Sequence, residues 1–191
     1  MRIILASKSP RRRELLTAAG IDKYEIIPSE CEIPAEEGVP PEDMVKLIAG
    51  GKAEEVSAKC SPDDIIIAAD TLVYLDGAPL GKPKDENDAK AMLRALSGRC
   101  HTVFTGIAVF RGEKRLRDAV GTNVYFRELS EAEIDAYVAS GEPMDKAGAY
   151  GIQGMGSLLA EKIEGEYSNV VGLPMCRLGK MLKDVGFSVL G

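Results

Sequence analysis

Apolar and polar positions alternate with two different periods along this chain, and each change of period marks an element. Arg2-Ile3-Ile4-Leu5-Ala6 is a short apolar run that fits a buried strand. Leu15, Leu16, Ala18 and Ala19 then fall at helical spacing, with Gly20 placed to cap the helix end. Tyr24 to Pro28 alternates as a second strand and runs into an acidic loop, Ser29-Glu30-Cys31-Glu32. From Glu42 to about Lys59, Met44, Val45, Leu47, Ile48, Ala53 and Val56 predict a helix. Gly50-Gly51 interrupts it at ~1 kcal/mol per glycine relative to alanine. Either something approaches the backbone there or the pair is simply tolerated.

Asp64 to Ala69 is a continuous apolar run bounded by acid residues, the pattern of a central strand, and it delivers Asp70-Thr71 at its C-terminal end. Leu72–Leu75, Asp76-Gly77 and Ala78-Pro79-Leu80 predict a hairpin. After Gly81-Lys82-Pro83, a helix is predicted from Asp85 to Leu96, closed by Ser97-Gly98. His101–Phe110 and Ala119–Phe126 are rich in β-branched residues and predict paired strands around an Arg111–Lys114 turn. Ser130-Glu131-Ala132-Glu133 is a capping box opening a helix to about Ser140. Asp145 to Gly154 is glycine-dense, a loop in which backbone can come near a ligand. Leu158–Ile163 reads as a last strand, and Gly172-Leu173-Pro174 opens a C-terminal helix. Strands and helices interleave while hairpins accompany the crossovers, so the expected fold is α/β with a mixed sheet flanked by helices. No repeat or long linker divides the chain, which predicts a single domain over 1–191.

Composition narrows the classes. The 191 residues are 45% hydrophobic and 28% charged, ordinary for a globular protein with one good core. A net charge of −6 argues against a nucleic-acid polymer as partner. No stretch reaches the length of a membrane span and no signal peptide precedes the first strand, so a cytoplasmic protein is expected. Cys31, Cys60, Cys100 and Cys176 are widely separated and read as free thiols. With His101 as the one histidine, a histidine-based triad is improbable.

The candidate chemistry starts at Ser7-Lys8-Ser9-Pro10-Arg11-Arg12-Arg13, where a strand turns into a helix N-terminus. Ser9 is typed as the N-cap and Pro10 as the first helical residue. Three arginines in a first turn oppose the helix dipole by ~0.3–1 kcal/mol each unless an anion binds there. Guanidinium groups match phosphate oxygens bidentately, so a polyphosphate is the favoured ligand over a merely solvated basic turn. Asp70 is the sharpest candidate for metal binding or proton transfer, since a half-buried carboxylate is expensive otherwise; the bland reading is a turn cap. Glu32 offers a second oxygen ligand, and Mg²⁺ needs only one or two carboxylates beside substrate phosphates. Lys52 and Lys82 are ordinary surface lysines by type, Lys82 being the more notable for its Gly-Lys-Pro loop. Gln153 carries both donor and acceptor, which suits reading a base edge.

Ile4-Leu5-Ala6-Ser7-x-Ser9-Pro10-Arg11-Arg12-x-Glu14-Leu15-Leu16, Ala69-Asp70-Thr71, Gly81-Lys82-Pro83, Leu96-Ser97-Gly98, Asp145 to Gly154 and Val171-Gly172-Leu173-Pro174 resemble, in order and over essentially the whole chain, the Maf family of nucleoside triphosphate pyrophosphatases. The resemblance implies a fold like that of inosine triphosphate pyrophosphatases, an elongated mixed sheet with two lobes about a cleft. It implies metal-dependent hydrolysis to monophosphate and pyrophosphate, with Mg²⁺ expected and Mn²⁺ or Co²⁺ as alternatives, removing unwanted or modified nucleotides. The Asp145–Gly154 motif is similar to the branch acting on dTTP and UTP rather than on 7-methyl-GTP. By matching position, Asp70 is the expected proton acceptor, and Arg12, Thr71 and Gln153 govern substrate choice. Ser7, Arg13, Lys52, Lys82 and Glu32 fall at phosphate- or metal-contacting positions. A cytoplasmic homodimer with a link to septum formation and cell-division arrest is implied as well. Two rivals stand beside this expectation: a nucleotide-sensing regulator without turnover, and a nucleotidyltransferase.

Overall fold

The computed structural model describes residues 1–36 and 38–191. Its element order is β1 (Ile3–Leu5), α1 (Pro10–Ala18), β2 (Glu25–Ile26), α2 (Pro41–Ser57), β3 (Ile65–Leu75), β4 (Ala78–Leu80), α3 (Glu86–Leu96), β5 (Cys100–Arg111), β6 (Lys114–Phe126), α4 (Glu131–Ala139), three short 3₁₀ turns within 142–158, β7 (Ala160–Glu164), α5 (Tyr167–Val171) and α6 (Met175–Asp184). Seven strands form one mixed sheet in the order β2-β1-β3-β5-β6-β7, with β4 paired to β3. The chain divides into two compact units: Met1–Asp70 with Thr105–Val120 and Gly172–Gly191, and Thr71–Phe104 with Gly121–Val171.

In the first unit β1 runs parallel to β2 and to β3, pairing Ile3, Ile4 and Leu5 with Ile65, Ile66 and Ile67. Successive residues of a strand face opposite ways, and the apolar runs are buried on both faces. Ile3, Leu5, Ile65 and Ile67 pack with Leu16 of α1 and with Leu178, Met181 and Leu182 of α6. Ile4, Ala6, Ile66 and Ala68 pack instead with Ala49, Ala53 and Val56 of α2. At α1's end Gly20, with φ 79°, makes a Schellman closure: its N–H donates to the Thr17 carbonyl at 2.9 Å and that of Ile21 to the Leu16 carbonyl at 3.0 Å.

In the second unit β3 and β4 form an antiparallel hairpin pairing Val73 with Leu80. Asp76 and Gly77 both lie in the left-handed region, at φ 52° and 81°, as a two-residue hairpin turn requires. Helix α3 is capped by the Asp85 side chain, which accepts from the Asp88 N–H, and α4 opens on the complete Ser130–Glu133 capping box. These two helices pack against one another.

The structure departs from the sequence expectation at three elements. Asp70 and Thr71 do not end a strand: β3 continues unbroken from Ile65 to Leu75, and the polar pair sits in its middle, where residues 70–72 are half-buried between buried stretches. The ladder from β1 ends at Ile67 and the ladder to β4 starts at Val73, so the dipeptide that looks like a strand end occupies the interval between two pairings of one long strand. The second strand shrinks from Tyr24–Pro28 to Glu25–Ile26, both exposed. Helix α5, ahead of the C-terminal helix, has no counterpart in the sequence reading.

Candidate active site

Strand β1 buries its hydrophobic residues and leads through Ala6 to Ser7, which is itself buried. The Ser7 hydroxyl oxygen accepts from the Ser9 N–H at 3.2 Å and from Arg12 Nη1 at 2.9 Å. Ser9 occupies the N-cap position and Pro10 the first helical one, yet the Ser9 side chain makes no cap hydrogen bond. Arg12 turns inward, because its Nε also donates to the Gly172 carbonyl at 2.7 Å. Burial lowers the Arg12 pKa from its ordinary value, and the negative charge of Asp70 opposes that shift. A guanidinium locked at Nε and Nη1 is a fixed cation, not a solvated one. Arg11 is half-buried. Arg13 is exposed and lines a shallow surface groove with Pro10, Glu14, Thr17, Ala18 and Tyr24, on a different side of α1 from the Ser7–Arg12 contact.

Asp70 on β3 meets Lys52 on α2, with Lys52 Nζ donating to Asp70 Oδ1 at 2.5 Å. Both side chains are largely withdrawn from water, 21% exposed for Lys52 and 18% for Asp70. The first unit therefore assembles Ser7, Arg12, Lys52 and Asp70 from four separate segments. Both Gly50 and Gly51 have neighbours close against the helix backbone. A Cβ on Gly51 would stand 2.9 Å from Ile33 Cδ1 and 3.2 Å from Cys31 Sγ, and one on Gly50 would meet the Arg117 guanidinium at 2.5 Å. The acidic loop thus lies directly on α2 beside Lys52. Glu55 fastens it: its Oε2 accepts from Ser29 Oγ at 2.6 Å and from the Glu30 and Cys31 N–H groups at 2.9 and 2.8 Å. Hydrogen bonds from Lys59 and Ser29 lead in pulling the Glu55 carboxyl down to about 2. Glu32 itself is exposed.

In the second unit Lys82 is exposed on its Gly-Lys-Pro loop, and Thr71 and Gln153 are half-buried. The Gly81 carbonyl accepts from the Gly148 N–H at 3.0 Å, so the Lys82 loop and the glycine-rich segment are joined. His101 is a core residue, 3% exposed, with Nε2 2.7 Å from the Tyr150 hydroxyl and its ring edge-on to Phe126 and Tyr150. Burial pushes its pKa down to about 4.

Among the described residues no group of three or more His, Cys, Asp or Glu is placed to hold a metal ion. Asp70 and Glu32 offer at most two carboxylates, hard oxygen donors that suit Mg²⁺ when substrate phosphates complete its shell. Three residues that hold these loops escaped the sequence reading: Glu55, and the pair Tyr137 and Glu142 beside Gln153. Nothing local marks them, since each acts on backbone N–H groups far along the chain.

A family model described as Maf-like protein matches residues 2–185. A dTTP/UTP pyrophosphatase from Dictyoglomus turgidum is 51% identical over 190 residues, 98% of each chain. Another from Geotalea uraniireducens is 50% identical, covering 96% of this chain and 95% of the relative, and one from Bacillus cereus is 49% identical, covering 98% and 97%. Among solved structures, a nucleoside-triphosphatase / dITP/XTP pyrophosphatase from Mycobacterium abscessus overlaps 74% of this chain and 94% of its own at 18% identity and a TM-score of 0.41, too loosely to carry an argument.

Proposed function

The chain belongs to the Maf family, and from that premise we propose that it hydrolyses nucleoside triphosphates, dTTP and UTP foremost, to the monophosphate and pyrophosphate. Relatives of half-identical sequence named dTTP/UTP pyrophosphatase support the substrate class. The observation that carries the chemistry is the half-buried Asp70 carboxylate held by Lys52 in the unit that also fixes Arg12. A carboxylate so placed is a general base for water, and the cations around it stabilise charge that develops on phosphoryl oxygens.

In this reading Asp70 orients a water for in-line attack and takes its proton. Lys52 has three N–H donors, so it can steer the Asp70 carboxylate and still reach a phosphate oxygen. Arg12 supplies a rigid positive charge, with Ser7 setting its direction; Ser9, Arg11 and the outward N–H groups of the first turn of α1 bind phosphate. Lys82 contacts the leaving pyrophosphate, and Thr71 and Gln153 select the base. Arg13, on the outer side of α1, takes a supporting role at the rim. A divalent cation, Mg²⁺ first and Mn²⁺ or Co²⁺ as alternatives, would be held by Asp70 and Glu32 and would neutralise phosphate charge. A single functional domain over 1–191, a cytoplasmic homodimer and a link to septum formation complete the proposal.

The test is pyrophosphate release from a panel of nucleoside triphosphates with Mg²⁺ and with a chelator. Fast release from dTTP and UTP, abolished by chelation and restored by Mg²⁺, is expected. Binding without release would make the protein a sensor, and release only with an added acceptor would make it a nucleotidyltransferase.

A further inference from the structure

The glycine-rich segment around Gln153 is shaped by two side chains that face it from within the second unit. Glu142 Oε1 accepts from the Gly156 N–H at 3.0 Å and from the Tyr137 hydroxyl at 2.9 Å, while Oε2 accepts from the Met155 N–H at 3.0 Å. The same Tyr137 oxygen accepts from the Gly151 N–H at 3.2 Å. Gln153 is therefore bracketed, with its chain held two residues before and two and three residues after. The glycines follow from this clamp. A Cβ on Gly154 would lie 2.8 Å from Glu142 Oε2, and one on Gly156 would lie 2.0 Å from the Gly151 carbonyl oxygen and 2.7 Å from the Tyr137 hydroxyl. The glycine density lets this segment close on its own carboxylate and phenol. Tyr137 is 3% exposed. Burial alone would raise the Glu142 pKa, but hydrogen bonds from Gly156, Tyr137 and Met155 hold it below its ordinary value, so the clamp works with an ionised carboxylate.

A glutamine amide presents a donor at one end and an acceptor at the other, and a half-turn exchanges them. Uracil and cytosine differ by that same exchange at position 4 and at N3. Holding the loop does not stop that half-turn, which is about the terminal side-chain bond, but it fixes from where the amide meets a base edge, and a base met out of line leaves polar groups unpaired. We propose that Glu142 and Tyr137 are positioning residues that set nucleobase selection by fixing the backbone on which Gln153 stands. This rests on the base-selecting role proposed for Gln153.

The experiment measures kcat and KM for UTP and for CTP in wild type, Gln153→Ala, Glu142→Gln, Tyr137→Phe and the Glu142→Gln/Gln153→Ala double variant, with Tm as a check on folding. Glu142→Gln places an NH₂ group against a backbone N–H, and Tyr137→Phe removes the bridging hydroxyl at constant ring volume. Each should lower the UTP-over-CTP ratio of kcat/KM by about tenfold, equivalent to 1.4 kcal/mol, with kcat for UTP changing less. In the double variant the ratio should match Gln153→Ala alone, because the clamp acts through that side chain. If Gln153→Ala lowers the ratio while Tyr137→Phe and Glu142→Gln leave it intact, the positioning role is overturned. It is overturned equally if Glu142→Gln lowers the ratio by the same factor with and without Gln153. A ratio unmoved by Gln153→Ala overturns the base-selecting role itself, and with it the inference.

Discussion

At the scale of single residues, the site depends on one carboxylate and the cations that orient it. Asp70 is 18% exposed in its side chain and touches Lys52 at 2.5 Å. Replacing it by asparagine keeps the shape and removes the proton acceptor. Loss of a general base typically costs 10²–10⁴-fold, so Asp70→Asn should lower kcat by at least about 10²-fold with Tm near wild type. Steady-state release of pyrophosphate measures this, and a loss under tenfold would remove Asp70 from the role. Ser7 and Asp70 are legible in the sequence because polar residues beside apolar runs stand out against the local pattern, whereas Lys52 is an ordinary lysine by type and enters only through the family resemblance. Arg12's inward turn is not legible, since the Gly172 carbonyl that receives it lies 160 residues away. Glu55 and Glu142 are hidden for the same reason: each spends its charge on backbone N–H groups of a distant segment.

At the scale of elements, local chemistry predicts what local hydrogen bonds build. The Ser130 capping box is written in four consecutive residues, and the structure forms it, with Glu133 Oε2 accepting from the Ser130 N–H at 2.8 Å. Ser9 carries the same type of signal but its side chain makes no cap bond, while its own N–H donates to the Ser7 hydroxyl oxygen. The two serines should therefore differ in what they contribute to stability. Ser130→Ala should cost about 1 kcal/mol, which lowers Tm by roughly 2–4 °C in a chain of this size. Ser9→Ala should shift Tm by much less, and calorimetry of the two variants compares them directly; equal losses would refute the distinction. The β3 misreading has the opposite origin. An Asp-Thr pair inside a strand imitates a strand end, and the continuity shows in the fold, where β3 runs from Ile65 to Leu75 with β5 as its neighbour in the sheet. Helix α5 spans five residues, too few for a period to register.

At the scale of the whole molecule, interleaved helices and strands made the mixed sheet legible, whereas the division into two units entered only as the two lobes that the family resemblance implies. Its boundaries cut β3, β5 and β6 within continuous strands, where neither composition nor periodicity changes. What the sequence also conceals is how folding sets the response to acid. His101 is neutral in the core, with its pKa pushed down to about 4 by burial, while in the unfolded chain it titrates near 6.5. Between those values the unfolded chain binds a proton that the folded one refuses, so this stability is complete above about pH 6.5 and drains as pH falls toward about 4. The slope is roughly 1.4 kcal/mol per pH unit for one such proton. A second loss comes lower. Hydrogen bonding to Arg2 is the main pull bringing the buried Asp64 carboxyl down to about 2 from 3.8. Its contribution is present above the ordinary value and is lost as pH falls through about 2. Tm measured from pH 8 to pH 2 should therefore decline in two stages. His101→Phe keeps a ring beside Phe126 and Tyr150 and removes the titrating nitrogen. It should flatten the upper stage and leave the lower one, and a profile that keeps its slope between pH 6.5 and 4 in that variant would assign the upper loss to other groups.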